Sequence, residues 1–450
     1  MSKPKTRYIV IFIVLAALQL LVLFKSSNPE TVSANAIDKA DTAWMIVAAA
    51  FVLFMTPGLS FFYGGMVSAK NVISTMLQSF IALGVISLLW YLVGFSLAFG
   101  ESWNGIIGNP VTFFAFQNVG LSPNPAFAST FPFLLFALFQ LKFAIITPAL
   151  ITGSFAERVK FTSYLIFICL FSLLIYCPLA HWTWHPDGFL RKWGVLDFAG
   201  GAVVHMSAGF AALAGAFVLG KREHKYSQPA NIPFIILGTA MLWFGWFGFN
   251  AGSALSANGQ AVQAFATTNF ASASAMITWV LFDALVGRKI SAMGACIGAV
   301  VGLVAITPAA GYVNLGQSIF IGFAAAIISN LAVYYKQRTS LDDTLDVFPC
   351  HGVGGIVGMI LTGVFAKDVG LIYGQFETFK FHLIALVIVG AFTFFGSFLI
   401  FKLTGLITRL RVSPEEERLG LDISQHAETI QTEKEPVAGT GPSGKMEVAA

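Results

Sequence analysis

Apolar residues in this chain do not alternate with polar ones; they come in long unbroken runs separated by short polar stretches. Runs near residues 42–65, 72–99, 130–153, 159–180, 198–220, 231–252, 262–286, 290–308, 316–335, 347–366 and 382–408 are each close to the length needed to cross hydrocarbon. A helix rising 1.5 Å per residue needs about 20 residues to span a core of about 30 Å. The pattern therefore predicts eleven transmembrane helices and an all-α, polytopic membrane protein. Ahead of them, "MSKPKTR" leads into "YIVIFIVLAALQLLVLF" and then "SSNPETVSANA". A basic start, an apolar centre and small residues at Ala34 and Ala36 predict a cleavable signal peptide over 1–36, with an uncleaved twelfth span as the alternative.

Composition agrees with this reading. Of 450 residues, 56% are hydrophobic and 11% charged, and the mean hydropathy is +0.77. Soluble domains carry about a quarter charged residues. The charges that remain sort by loop. Lys70, Arg158 with Lys160, Lys221 with Arg222 and Lys225, Arg288 with Lys289, Lys336 with Arg338, and Arg409 with Arg411 fall on alternate connections. The intervening ones hold only Arg191, Lys192, Lys367 and Lys380. By the positive-inside rule, the mature N-terminus lies outside and the C-terminus in the cytoplasm. The net charge of +4 is then a matter of topology, with no indication of nucleic-acid binding. The four cysteines, Cys169, Cys177, Cys296 and Cys350, lie in predicted spans without C-x-x-C spacing, which suggests neither a disulfide framework nor a zinc site.

One membrane domain is expected over 37–411. The segment 412–450 closes the chain as a cytoplasmic tail, with an acidic first half able to form a short helix and a last part whose composition reads as disordered. No soluble catalytic domain is evident. Aligning His205 with His351 sets "HMSAGFAALAGAFVLGK" against "HGVGGIVGMILTGVFAK". The two helices run in opposite directions, so the echo is what an inverted repeat gives, with the substrate path between the halves.

Ionisable side chains inside a bilayer cost about 2.5–3.5 kcal/mol each on insertion scales, so they persist where partners or water offset that cost. His205 and His351 stand out, each beside small residues that let helices approach. Either alone is compatible with a hydrogen-bonded core histidine. As a matched pair, they could meet at the centre and share a proton between ring nitrogens. A metal site would need three or four ligands, and no further His, Cys or carboxylate falls at matching spacing. Asp197, just ahead of the fifth span, reads equally as an N-cap or as a contact for a cation, and the roles are compatible. Aromatic residues crowd the outward helix ends: Trp182 and Trp184, Trp246, Phe247 and Phe249, Phe139 and Phe143. Singly they read as interface belt or core. Together with Ser253, four residues after Phe249, they could cage a small cation, since a desolvated cation gains about 2 kcal/mol over a ring face. A potassium path would need oxygens throughout. An ammonium ion can instead give up its proton.

The stretches "DFAGGAVVHMSAG", "GWFGFNAGSA", "FAIITPALITGSFAER", "TPAAGY", "DVFPCHGVGGIVG" and "LRVSPEEERLGLD" resemble, in order and over residues 40–425, the ammonium transporter/methylammonium permease/Rhesus family, and most closely its bacterial ammonium transporters. The resemblance implies a five-plus-five inverted repeat with one extra helix, in a homotrimer whose subunits each have a pore. It implies an external ammonium site at Trp184, Ser253 and Phe143, organised by Asp197. Phe143 and Phe249 would form the gate, and His205 and His351 the proton relay of the pore. It further implies transport of nitrogen as ammonium or ammonia in a bacterial inner membrane, without enzymatic activity, cofactor or metal. A PII-type nitrogen regulator would meet the tail. An ammonium sensor with little flux and a Rhesus-type neutral gas channel are the alternatives. Lys142 beside the gate, "HPDG" after Trp184, and a tail that continues past "HAETI" depart from the pattern, and the last weakens the regulator inference most.

Overall fold

The computed structural model describes residues 12–13, 16–17, 20, 37–223 and 228–430. The expected signal peptide, apart from five helical positions, and the last twenty residues of the tail lie outside the described residues. A helix stands at each of the eleven expected places: α1 Lys39–Met66, α2 Val72–Phe99, α3 Phe133–Phe155, α4 161–184, α5 Gly201–Leu219, α6 Ile232–Gly252, α7 Gly259–Leu285, α8 Ala292–Ile306, α9 Leu315–Gln337, α10 Phe348–Phe365 and α11 Phe376–Ile407. Among the described residues, ten helices are long and apolar enough to cross a membrane; α8, at 15 residues, is shorter.

The burial pattern is that of a membrane protein. Interior positions of α3 and α5 are filled by Phe139, Phe143, Ala208, Ala211 and their neighbours. Large apolar side chains such as Phe80, Leu88, Val387, Phe395 and Leu406 point away from the protein. A sheath of this kind is stable against lipid, because each helix satisfies its own backbone polar groups. One end of the bundle carries the 100–132 connection, with two small antiparallel pairs, Ser102–Trp103 with Ile107–Gly108 and Pro123–Asn124 with Ala128–Pro132. The other end carries the tail.

A pseudo-twofold relation organises the interior. The first helix of each half, α1 and α6, cross at glycines: a Cβ at Gly238 would lie 2.3 Å from the Phe62 amide nitrogen. The fifth helix of each half, α5 and α10, cross the same way, and their contacts come in symmetric pairs offset by 146 residues. A Cβ at Gly209 would stand 2.2 Å from the Gly352 nitrogen, and one at Gly355 would stand 3.2 Å from the Met206 nitrogen. Both helices open on a π turn, Gly201–Met206 and Phe348–Val353, and both are capped by an aspartate eight residues before the histidine. Asp343 accepts from the Val347 and Phe348 amides at 3.1 and 2.8 Å, the counterpart of Asp197. Glycine at the crossings brings backbones together, and the carboxylates satisfy helix-start amides that have no partner within their own helix.

The tail folds back on the bundle. The short helix α12, Pro414–Leu419, has Ser413 and Glu416 as a capping box. Asp422 then caps α2, accepting from Ile73 and Ser74 amides at 3.1 and 2.8 Å, while Lys70 donates to the Glu417 and Arg418 carbonyls. Beside it, the buried Arg222 guanidinium joins Glu157 at 2.7 Å and Asp342 at 3.0 Å.

Candidate functional site

At the end opposite the tail, the helices open on a vestibule of about 700 Å³. Its lining includes Gln140 and Phe143 of α3, Thr183 and Trp184 of α4, Asp197 ahead of α5, and Ser253 at the end of α6. The sequence pointed to Phe143, Trp184, Asp197 and Ser253, and the fold brings all four to one cavity.

Each is held from behind. The Trp184 indole N–H donates to the Asp197 carbonyl at 3.0 Å, and the Arg191 guanidinium donates to the Trp184 carbonyl at 2.5 Å. The Ser253 hydroxyl donates to the Phe249 carbonyl at 2.8 Å, which leaves its oxygen lone pairs available as acceptors. The Asp197 side chain is saturated. One carboxylate oxygen accepts from Gly200 and Gly201 at 2.8 and 2.6 Å, the other from Ala202 and Val203 at 2.8 and 3.2 Å. Burial pushes its carboxyl above the ordinary value, and the four amides oppose that rise. Gly200, with φ of +122°, supplies the left-handed turn that folds the amides around the carboxylate. The N-cap reading is therefore realised, and any influence on a cation acts through position and field.

Below the vestibule the path closes on aromatic rings. Phe143 lies edge-on to Trp184, with centroids 5.7 Å apart, and packs on Phe249 at 4.2 Å with 33° between planes. Both phenylalanines are fully buried. Phe139 supports Phe143 from one side, at 4.9 Å. Beyond the rings, a cavity of about 10 Å³ is lined by Phe249, Trp246, His205 and His351, and another of about 10 Å³ by His351, Tyr63 and Cys350. That is the scale of one water-sized molecule.

The two histidines meet. Nδ1 of His351 lies 3.4 Å from Nδ1 of His205, with ring planes 27° apart. Since two bare nitrogens would repel, one ring carries its proton on Nδ1 and donates, and the other accepts there. Nε2 of His205 is buried with no hydrogen-bond partner among the described residues. Among the described residues no group of three His, Cys, Asp or Glu side chains comes together as a metal site would require.

Three residues of the pore and its entrance were not assigned from sequence. Trp246, read there only as one of several aromatics, stacks over His205 at 5.3 Å and is held by its indole N–H donating to Thr307 at 2.9 Å. Gln140 and Thr183 line the vestibule and had no signal beyond lying near assigned residues. Two departures in the sequence also find their place. Lys142 does not line the vestibule; it is half-buried on the side of α3 that carries Leu135 and Leu138. In "HPDG", His185 stacks on His181 at 4.3 Å, Asp187 pairs with Lys192 at 2.8 Å, and a Cβ at Gly188 would lie 2.1 Å from the His181 carbonyl oxygen. Phe247 faces away and stacks on Phe265 of α7 at 4.0 Å.

Helices in an inverted repeat, with a polar-aromatic vestibule feeding a narrow apolar passage, define a membrane transport protein. The family model described as "Ammonium Transporter Family" matches residues 43–431, and this chain belongs to that family. It is 45% identical over 403 residues to a putative ammonium transporter of Methanothermobacter thermautotrophicus, covering 87% of this chain and 98% of the relative. With the ammonium transporter of Bacillus subtilis it shares 43% identity over 397 residues, covering 86% and 97%. Among solved structures it resembles Candida albicans Mep2, with a TM-score of 0.80, 35% identity, and coverage of 85% of this chain and 88% of that one. A structure described as "Sensor Amt Protein" matches with a TM-score of 0.80 at 31% identity, covering 86% and 98%.

Proposed function

We propose that the protein takes up ammonium, recognising it as the cation in the vestibule and conducting it as ammonia past the histidines. The cation rests between the faces of Trp184 and Phe143 and donates to Ser253. It then gives up a proton, because a charge cannot be carried through cavities this small and apolar without its hydration. Ammonia passes Phe143 and Phe249, and the proton is relayed by His205 and His351, one ring donating while the other accepts. Asp197 organises the entrance by fixing the start of α5 and the Trp184 indole.

The observation that carries this reading is the order of the parts along one line: cation-binding faces, then stacked rings, then an imidazole pair in contact. On the same reading the vestibule faces outward and the tail the cytoplasm of a bacterial inner membrane. The subunit works as a homotrimer, and the docked tail offers a surface to a PII-type regulator.

An ammonium jump on proteoliposomes tests the reading, with potassium as control. Replacing His205 and His351 together by leucine abolishes the ammonium current or alters its selectivity. Unchanged current with unchanged discrimination against potassium refutes the relay. A second reading, an ammonium sensor with little flux, draws support from the likeness to the solved sensor protein. In that case ammonium binds but almost no current appears. A Rhesus-type gas channel would give flux without charge, and the Trp184–Ser253 cation site counts against it.

A further inference from the structure

The last membrane helix, α11, follows the ten of the two halves and buries one ionisable side chain. His382 is 0% exposed, whereas Glu377, Lys380 and Lys402 of the same helix are not buried. An ionisable ring persists in a membrane span where partners offset its cost, and both ring nitrogens of His382 have one. Nε2 lies 2.9 Å from the Leu196 amide nitrogen, and Nδ1 lies 2.8 Å from the Met359 carbonyl oxygen of α10. The amide can only donate and the carbonyl can only accept. The proton therefore sits on Nδ1, and Nε2 presents a lone pair to Leu196. Gly363 of α10 leaves room for the ring, since a Cβ there would come within 3.2 Å of His382 Cβ and Cγ.

What the ring holds is a wall of the vestibule. Leu196 stands 186 residues from His382, in a segment, 195–198, whose four residues all line that cavity. The segment is anchored at two points by its backbone: the Val195 amide donates to the Leu190 carbonyl at 3.0 Å, and the Phe198 amide to the Pro308 carbonyl at 3.1 Å. Between those anchors the Leu196 amide is held by the imidazole. The next residue supplies the carbonyl of Asp197, which accepts the Trp184 indole N–H at 3.0 Å. The contacts thus run without a break from α10 through His382 and Leu196 to Trp184. The Asp197 carboxylate secures the side of this turn toward α5, and His382 secures the side toward α4.

We infer that His382 is a positioning residue of the recruitment site: it seats Leu196 against α10 and α11, and so fixes the Asp197 carbonyl on which the Trp184 indole hangs. The inference rests on the proposed capture of ammonium over Trp184. His382 does not line the vestibule, so the cation is not its ligand. It acts on how well the indole face is presented, which governs capture, and it leaves the phenylalanine gate and the histidine pair untouched.

The test measures ammonium-jump currents over a concentration series in proteoliposomes, for the wild type, His382→Leu, His382→Gln, Trp184→Leu and His382→Leu combined with Trp184→Leu. His382→Leu is expected to raise the half-saturating ammonium concentration about three- to tenfold, the range set by one lost hydrogen bond, with the maximal current kept. His382→Gln carries an acceptor and a donor side by side and stays within about twofold of the wild type. In the Trp184→Leu background, His382→Leu adds no further rise, because the ring acts through the indole. If His382→Leu does not reach the membrane, His382→Met, whose flexible chain fills similar space, takes its place under the same criteria. Half-saturation unchanged in His382→Leu while Trp184→Leu raises it overturns the inference. So does an equal rise in both backgrounds, or a fall in maximal current at unchanged half-saturation, which is the mark of a merely structural role. If Trp184→Leu itself leaves half-saturation unchanged, the recruitment reading falls and this inference with it, an outcome distinct from the others.

Discussion

Replacing Asp197 by asparagine separates two accounts of why a carboxylate is buried beside the vestibule. Its oxygens accept four amide hydrogen bonds, all between 2.6 and 3.2 Å, at the positive end of α5. Asparagine keeps one oxygen and so serves one pair of amides, Gly200 with Gly201 or Ala202 with Val203. Its NH₂ group then faces the other pair, donor against donor. Two charge-assisted bonds are lost and two buried donors are left unpaired, for a cost of about 3–5 kcal/mol once partial relaxation is allowed. The turn at Gly200 loosens, and both the Trp184 indole and His205 lose their setting. Purified Asp197→Asn protein is expected to melt well below the wild type, and its ammonium current to fall without recovery when ammonium is raised. A carboxylate acting only by attracting the cation would behave differently. Its loss would leave the melting temperature alone, and saturating ammonium would restore the current. That pair of results would refute the architectural account.

Two further outcomes follow from the packing. Gly209→Val puts a side chain where even a Cβ would come within 2.2 Å of the Gly352 backbone, so α5 and α10 are forced apart and the imidazoles separate. Overpacking costs about 1–3 kcal/mol, and the expectation is an inserted protein whose ammonium current is lost, checked by membrane fractionation alongside the proteoliposome assay. Arg222→Met strands the carboxylates of Glu157 and Asp342, at a cost of about 3–5 kcal/mol for a buried pair. Burial alone would raise the Asp342 carboxyl, but hydrogen bonding to Arg222 and the nearby Arg158 charge overcome it and hold it at about 2. With a depressed native value, this stabilisation is present above the ordinary carboxylate value of about 4 and is lost as pH falls toward 2. Melting temperature against pH should therefore drop steeply below pH 4 in the wild type and less in the variant.

The helices were legible because membrane spans announce themselves by length and composition, and each expected run became a helix to within a few residues. The histidine pair was legible for a similar reason: an ionisable ring among glycines in an apolar span has to be explained. The matching echo also gave the offset at which the structure places Gly209 against Gly352 and Gly355 against Met206. Asp343 carried the same signal as Asp197, lying eight residues before its histidine, and went unassigned because loop aspartates are common. Gln140 and Thr183 were not legible at all. Nothing in a sequence says which residues of a helix will line a cavity; that depends on how its neighbours pack around it. The docking of Asp422 on the start of α2 belongs to the same class, being a contact between residues 348 apart.

The geometry also bears on where discrimination takes place. A π face contributes about 2 kcal/mol to a desolvated cation, and neutral oxygens add a few more, while an ion stripped of water in an apolar medium loses tens. The vestibule can therefore hold a cation only while water still reaches it, as a cavity of about 700 Å³ allows. A potassium ion of similar radius would be tolerated there to a comparable degree. What it cannot do is enter the cavities of about 10 Å³ beyond Phe143 and Phe249, because it has no proton to leave behind. Selection by this protein, on the proposed mechanism, is chemical before it is steric: the entrance sets how readily ammonium is captured, and the passage past the rings sets what is transported. Potassium should accordingly compete at the entrance as a weak inhibitor of ammonium current while carrying none itself. Inhibition curves at fixed ammonium would show this, and a potassium current of any size in the wild type would place discrimination in the vestibule instead.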